Sequence, residues 1–202
     1  MNEIAVKNLL FGHTYRMEKM RTRYRLSRYF LLVFTLSFLG WGFETVYMFL
    51  QTGKWQDRGF MSMPVCPIYG CSLFVVYLLA GTPDEGRGLL KHAQRRVVRY
   101  PLYFLLAFLV PSVAELFVGF FFDKAFGVWL WSYKSVPLNL GGYVCLPVSL
   151  AWAGLIFLFM KFLFPPIFRV LGKIPLLVAR LLAIFLLLFA LSDIFVNFMR
   201  IT

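Results

Sequence analysis

Charge is what this sequence has least of. Only 15% of its 202 residues are Asp, Glu, Lys or Arg, against about 25% in an ordinary soluble domain, and a water-soluble globular fold is thereby excluded. Acids are the scarcer sign, 9 against 21 basic residues, for a formal net charge of +12. The three cysteines, Cys66, Cys71 and Cys145, are too few and too deeply set in apolar sequence for a disulfide scaffold. The two histidines, His13 and His92, lie far apart in basic polar stretches, so no zinc site is expected, nor any other metal or cofactor. There is no Gly-x-x-x-x-Gly-Lys-Ser/Thr phosphate loop. No nucleophile–base pair or metal-ligand cluster assigns a reaction, and whether the chain is an enzyme stays open.

What it has in abundance is hydrocarbon: 60% of residues are hydrophobic, with 24 Phe, 10 Tyr and 5 Trp. A bilayer core about 30 Å thick takes roughly 20 helical residues to cross, and five stretches suffice, 29–51, 61–81, 100–122, 141–163 and 176–198. The expected fold is all-α, a polytopic membrane helical bundle of about five transmembrane helices. Pro64, Pro67 and Gly70, and likewise Gly141, Gly142 and Pro147, stand near the starts of the second and fourth spans. Those starts are expected to be irregular or re-entrant, which a membrane tolerates where protein or a cavity covers the freed backbone. The polar stretch before the first span is too long for a signal peptide, and that span is expected to be retained.

Basic residues fix the expected orientation. Sixteen fall in segments 1–28, 82–100 and 161–180, against five (Lys54, Arg58, Lys124, Lys134 and Arg200) on the other side. Positive-inside reasoning puts the amino terminus in the cytoplasm and the carboxyl terminus outside. The excess charge then reads as topology, with anionic lipid headgroups as natural partners, and no nucleic acid is needed to explain it. The expected organisation is a basic cytoplasmic segment over 1–28, a transmembrane hairpin over 29–81, a basic loop over 82–99, a second hairpin over 100–163, and a basic loop with the fifth helix over 164–202.

The two hairpins resemble each other. Glu44 is followed by a Trp-bearing loop and then Pro64-Val65-Cys66-Pro67-Ile68-Tyr69-Gly70; Glu115 is followed by a longer Trp-bearing loop and then Gly142-Tyr143-Val144-Cys145-Leu146-Pro147. Both run in the same direction, so they are read as parallel repeats about an axis along the membrane normal, with the fifth span outside the duplication. A carboxylate in hydrocarbon costs a few kcal/mol and is usually kept for a reason. Glu44, Glu115 and Asp193 lie at similar depth in the outer half, which points to a shared polar cavity opening outward. Ser37 and Trp41 share a helix face with Glu44. In the outer loops Arg58 and Lys134 could pair with the carboxylates or hold an anionic headgroup, and Asn139 stands beside them. The plain alternative is that the acids only fasten helices together, and that the tryptophans form an interfacial belt.

Gly40-Trp41-Gly42-Phe43-Glu44, Arg58-Gly59-Phe60, Cys66-Pro67-Ile68-Tyr69-Gly70, Glu115-Leu116, Trp131-Ser132-Tyr133 and Leu138-Asn139-Leu140-Gly141-Gly142 together resemble the family named Putative ABC-transporter type IV, the CmpB-type integral membrane permeases. The likeness covers roughly residues 30–165, and Ser132 stands where the family pattern has an acid. It implies a bacterial cytoplasmic membrane protein whose ATPase subunit, if the name is apt, is a separate chain. Substrate-binding residues are then expected among Glu44, Glu115, Trp41, Arg58, Tyr69, Tyr133, Asn139 and Asp193. Five spans are few for a complete translocation path, and a homodimer would supply the rest. Besides a permease-like transport component, an intramembrane enzyme acting on a lipid or lipid-linked substrate and a structural or partner-stabilising subunit stay open.

Overall fold

In a computed structural model of the chain, residues 26–55 and 60–201 are described. Among the described residues six α-helices carry the fold: α1 (Leu26–Thr52), α2 (Pro67–Ala80), α3 (Arg96–Phe126), α4 (Leu146–Phe162), α5 (Phe164–Lys173) and α6 (Leu176–Ile201). A two-stranded antiparallel hairpin, β1 (Asn139–Leu140) against β2 (Val144–Cys145), pairs Asn139 with Cys145 and Leu140 with Val144 just before α4. Three helices, α1, α3 and α6, are long and apolar enough to cross a membrane. A fourth crossing is available if α4 and α5, bent by 48° at Leu163, count as one. The chain is thus built as a helical membrane protein.

The shorter α2 starts late for a physical reason. Cys66 is extended (φ −121°, ψ 97°) and Pro67, which has no N–H, opens the helix where none is needed. Its 14 residues reach only about 21 Å at about 1.5 Å per residue, and the stretch over 60–66 continues it without helical structure. The irregular start of α4 is the hairpin, after which Cys145 is again extended and Pro147 sits in the first helical turn. The basic stretch between α4 and α6, read from sequence as a loop, contains the helix α5. Its Phe164, Pro165 and Phe168 are buried, while Arg169 and Lys173 stand among its other positions.

Neighbouring helices pack in order, α1 on α2, α2 on α3 and α3 on α4, with α6 along α1. The α1–α2 crossing depends on two glycines. A Cβ on Gly70 would run into Ser37 and the Val33 carbonyl, and one on Gly40 would stand 2.5 Å from the Cβ of Tyr69. The contact is close enough for the Cys66 N–H to donate to the Ser37 carbonyl at 3.1 Å. Gly40→Val is therefore expected to lower stability by about 1–3 kcal/mol through overpacking and to push Tyr69 aside. Thermal unfolding of the purified variant in detergent checks it, and an unchanged midpoint would mean the helices separate at little cost.

The main core gathers at one end of the bundle. Tyr77 meets Phe164 and Phe168 at 4.7 and 5.4 Å between ring centroids, over buried Leu32, Tyr103 and Met160. This end also carries a group of cations: Arg28 donates to the Ile174 carbonyl (2.7 Å), Arg99 to the Pro83 carbonyl (2.8 Å), and Lys161 lies 4.7 Å above the Tyr100 ring. Arg87 lies 4.7 Å above the Tyr77 ring and donates to the Tyr77 carbonyl. It is called the basic end below, and the other, which holds loops 53–66 and 127–145, the loop end.

Candidate functional site

Where the basic end is filled by side chains, the loop-end half holds a partly open cavity of about 810 Å³. That volume lies within the range of small-molecule sites, about 300–1,000 Å³. It lies against α2 and α3, and its walls include Ile68, Val113, Phe117 and Val118, with Ile194 and Phe198 from α6 and Trp131 and Tyr133 from the loop. The lining is overwhelmingly apolar, and its polar groups are correspondingly conspicuous.

Glu44, from α1, is one of them. Its Oε2 accepts a hydrogen bond from the Tyr69 hydroxyl at 2.9 Å. Tyr69 reaches it because Gly40 leaves room, and Trp152 of α4 backs its ring at 5.2 Å. Phe43, beside Glu44, meets the same Trp152 edge-on at 5.6 Å. Ser72, three residues after Tyr69 and so on the same helix face, also lines the cavity. It is 5% exposed, and its hydroxyl has no hydrogen-bond partner among the described residues.

Glu115 is 9% exposed and lies one turn from Gly119, against which Tyr143 and Trp131 pack. It lies near Glu44, and its chain neighbour Ala114 lines the cavity. Two carboxylates at opposite ends of the sequence motif thus come to one region of the bundle. Among the described residues neither forms an ion pair.

A sequence profile for the family described as Putative ABC-transporter type IV matches residues 31–198. The chain belongs to this family. No curated protein and no solved structure matches it.

In this member of the family the other expected residues are spread out. Tyr133 lines the cavity, while its N–H donates to the Gly142 carbonyl at 2.8 Å. Asp193, on α6, accepts from the N–H groups of Ser62 and Met63 at 3.0 and 3.4 Å and so fastens the irregular segment before α2. Asn139 shapes the hairpin turn: its side chain donates to the Val136 carbonyl at 2.8 Å and accepts from the Gly142 N–H at 3.0 Å. Trp41 stacks on Phe38 at 6.0 Å. Arg58 lies outside the described residues. Lys134 does not turn to the carboxylates; its Nζ stands 3.9 Å over the Trp129 ring.

Two features escaped the sequence reading. Ser72 could have been found from its three-residue step from Tyr69. The other is a rigid lattice at the loop end, in which the Tyr143 hydroxyl donates to Asp123 at 2.7 Å and Lys124 stands 3.0 Å from the same carboxylate. Trp129 stacks flat on Tyr143 at 5.0 Å, and the Trp131 indole donates to the Tyr143 carbonyl at 2.8 Å. Nothing in linear spacing joins Asp123 to Tyr143. This lattice holds Trp131 at the cavity wall.

Proposed function

We propose that the chain is the membrane-embedded, permease-like component of a transport system, with the cavity as its ligand site and Glu44 as the polar anchor. The observation that carries this is a half-covered carboxylate on the wall of a cavity of about 810 Å³ within the apolar part of the bundle. A buried ionisable group that faces a cavity in a membrane protein marks a substrate or ion path by default. With a carboxylate as the polar anchor, a cationic or hydrogen-bond-donating ligand is favoured.

On this reading the chain crosses the membrane five times, the short α2 and α4 being completed by the irregular stretches before them. The repeat reading draws support from Cys66 and Cys145, each an extended residue preceding a helix with proline in its first turn. By the positive-inside rule the basic end faces the cytoplasm of a bacterial cell, the carboxyl terminus lies outside, and anionic headgroups meet Arg99 and its neighbours. A separate ATPase subunit would supply the energy, as the family name suggests. A homodimer would complete the path.

The experiment compares cells that lack the chain with cells that carry wild type or Glu44→Gln at equal membrane levels. Amine-bearing compounds are measured on each side of the membrane, and the lipid extract is analysed in parallel. Wild type is expected to change the side on which a compound is found, and Glu44→Gln to abolish that change. If Glu44→Gln acts as wild type, the anchor role fails. A changed lipid composition with no compound changing sides would instead favour an intramembrane enzyme.

A further inference from the structure

The cavity is closed at the loop end and open along its flank. Phe198 of α6 meets Phe126, Phe122 and Phe60 at 5.2, 6.2 and 5.1 Å between ring centroids, and this knot joins the outer ends of α3 and α6. Away from it the two helices part, for α6 packs along α1. Leu109, Val113 and Phe117 of α3 line the cavity and are nevertheless 44%, 63% and 70% exposed. Val75 of α2 does the same at 41%. Exposed apolar side chains in the middle of a membrane span meet hydrocarbon, so the opening leads into the bilayer and not into water.

The polar groups stand together on one wall. Tyr69 and Glu44 are paired, and Ser72 presents a buried hydroxyl with no partner among the described residues. The Ser72 hydroxyl can accept a hydrogen bond as well as donate one, and the Glu44 carboxylate, with no cation beside it among the described residues, is matched by a positive head. The remaining walls are mostly apolar, with Tyr133 and Trp131 from the loop and Cys66 and Cys71 the exceptions.

From this we infer that the ligand is an amphiphile, a primary ammonium on a hydrocarbon chain, which enters sideways from the bilayer between α3 and α6 and docks its head between Glu44 and Ser72. The inference rests on the cavity being the transport site proposed above, and it narrows the substrate from polar solutes at large to membrane-dissolved amines. A fatty acid fits the same walls but would bring a carboxylate against Glu44. The ammonium head can belong to a free long-chain amine or to an aminophospholipid.

The test uses the full chain in phosphatidylglycerol nanodiscs, which contain no amine, with dodecylamine that carries a photoreactive diazirine in its chain. Labelled peptides are read by mass spectrometry relative to lipid-facing Leu155 and Leu158 on α4, which report general labelling from the bilayer. Label is expected to concentrate on 109–118 and 71–75 and to be displaced by unlabelled dodecylamine but not by dodecanoate. Glu44→Gln should lower that enrichment about tenfold, the size of one charge-assisted hydrogen bond, and Glu44→Asp should restore part of it. Should Glu44→Gln fail to fold, Val113→Trp, which fills the gap from the exposed side, is expected to remove the enrichment equally. Displacement by phosphatidylethanolamine as well as dodecylamine would support a lipid head, and by dodecylamine alone a free amine. Uniform labelling, or displacement by dodecanoate, would overturn the inference. Displacement by ethylamine as strong as by dodecylamine would overturn the amphiphile while leaving the cavity a transport site. Failure of the site itself is read separately, when Glu44→Gln redistributes compounds as wild type does.

Discussion

Tyr69→Ala is expected to cost about 3 kcal/mol of stability, the low end of the range for deleting an aromatic ring because Tyr69 is half-buried. Three contacts go at once. Trp152 loses the ring it packs on at 5.2 Å, Glu44 loses its donor at 2.9 Å, and the space that Gly40 leaves is emptied. Tyr69→Phe separates these effects, since it keeps the ring and removes only the hydroxyl, at about 1 kcal/mol. Thermal unfolding of both variants in the same detergent gives the comparison. Equal losses in the two would mean that the hydrogen bond to Glu44, and not packing, dominates at this position. The redistribution assay adds a functional reading: a Glu44 freed of Tyr69 but still present should hold an ammonium head no less tightly, so Tyr69→Phe is expected to keep activity that Glu44→Gln loses.

Much of the scaffold was legible because membrane composition decides it. The expected spans 29–51, 100–122 and 176–198 fall inside α1, α3 and α6, which run over Leu26–Thr52, Arg96–Phe126 and Leu176–Ile201. A long apolar run in a bilayer has no choice but to satisfy its backbone internally, and hence to be helical. Where proline intervenes, hydropathy stops being a guide to the backbone. Pro64 and Pro67 delay α2, and the glycines before Pro147 leave room for a hairpin before α4. The helix α5 was hidden by its cations, although Phe164 and Phe168 at a four-residue step, after a proline-rich start, were a readable sign.

The site was harder to read, since spacing along a helix does not fix how the helix is turned. Glu44, Glu115 and Asp193 lie at similar depths, and depth alone made them look equivalent. Packing separates them: Glu44 lines the cavity, Glu115 is buried away from its lining, and Asp193 is taken up by backbone donors. The partners of Glu44 and Asp193 came from α2 and the segment before it, whose position depends on close approaches at Gly40 and Gly70. None of these could be placed from hydropathy.

Asp193 gives the sharpest test of that separation. Its Oδ2 accepts from the Ser62 and Met63 N–H groups, and Asn197 closes the arrangement by donating to the Ser62 hydroxyl at 3.1 Å. Beneath the tether Met61, Met63 and Val65 are buried against Phe34, Ala190 and Ile194. Asp193→Ala removes the acceptor and strands two backbone donors where the surroundings are apolar, so a loss of about 2–4 kcal/mol is expected. Asp193→Asn keeps a carbonyl oxygen at the same place and should lose about 1 kcal/mol, the charge-assisted part of the bonds. Hydrogen exchange in detergent reads the tether directly. In Asp193→Ala the Ser62 and Met63 amides should exchange far faster than in wild type, while Asp193→Asn should retain most of their protection. Because Phe60 and Met61 belong to the cavity wall, Asp193→Ala should also abolish amine labelling, and Asp193→Asn should leave it intact. Were Asp193 instead to hold the ligand by its charge, Asp193→Asn would lose labelling while both amides stayed protected, and the assignment of Asp193 to the scaffold would fall.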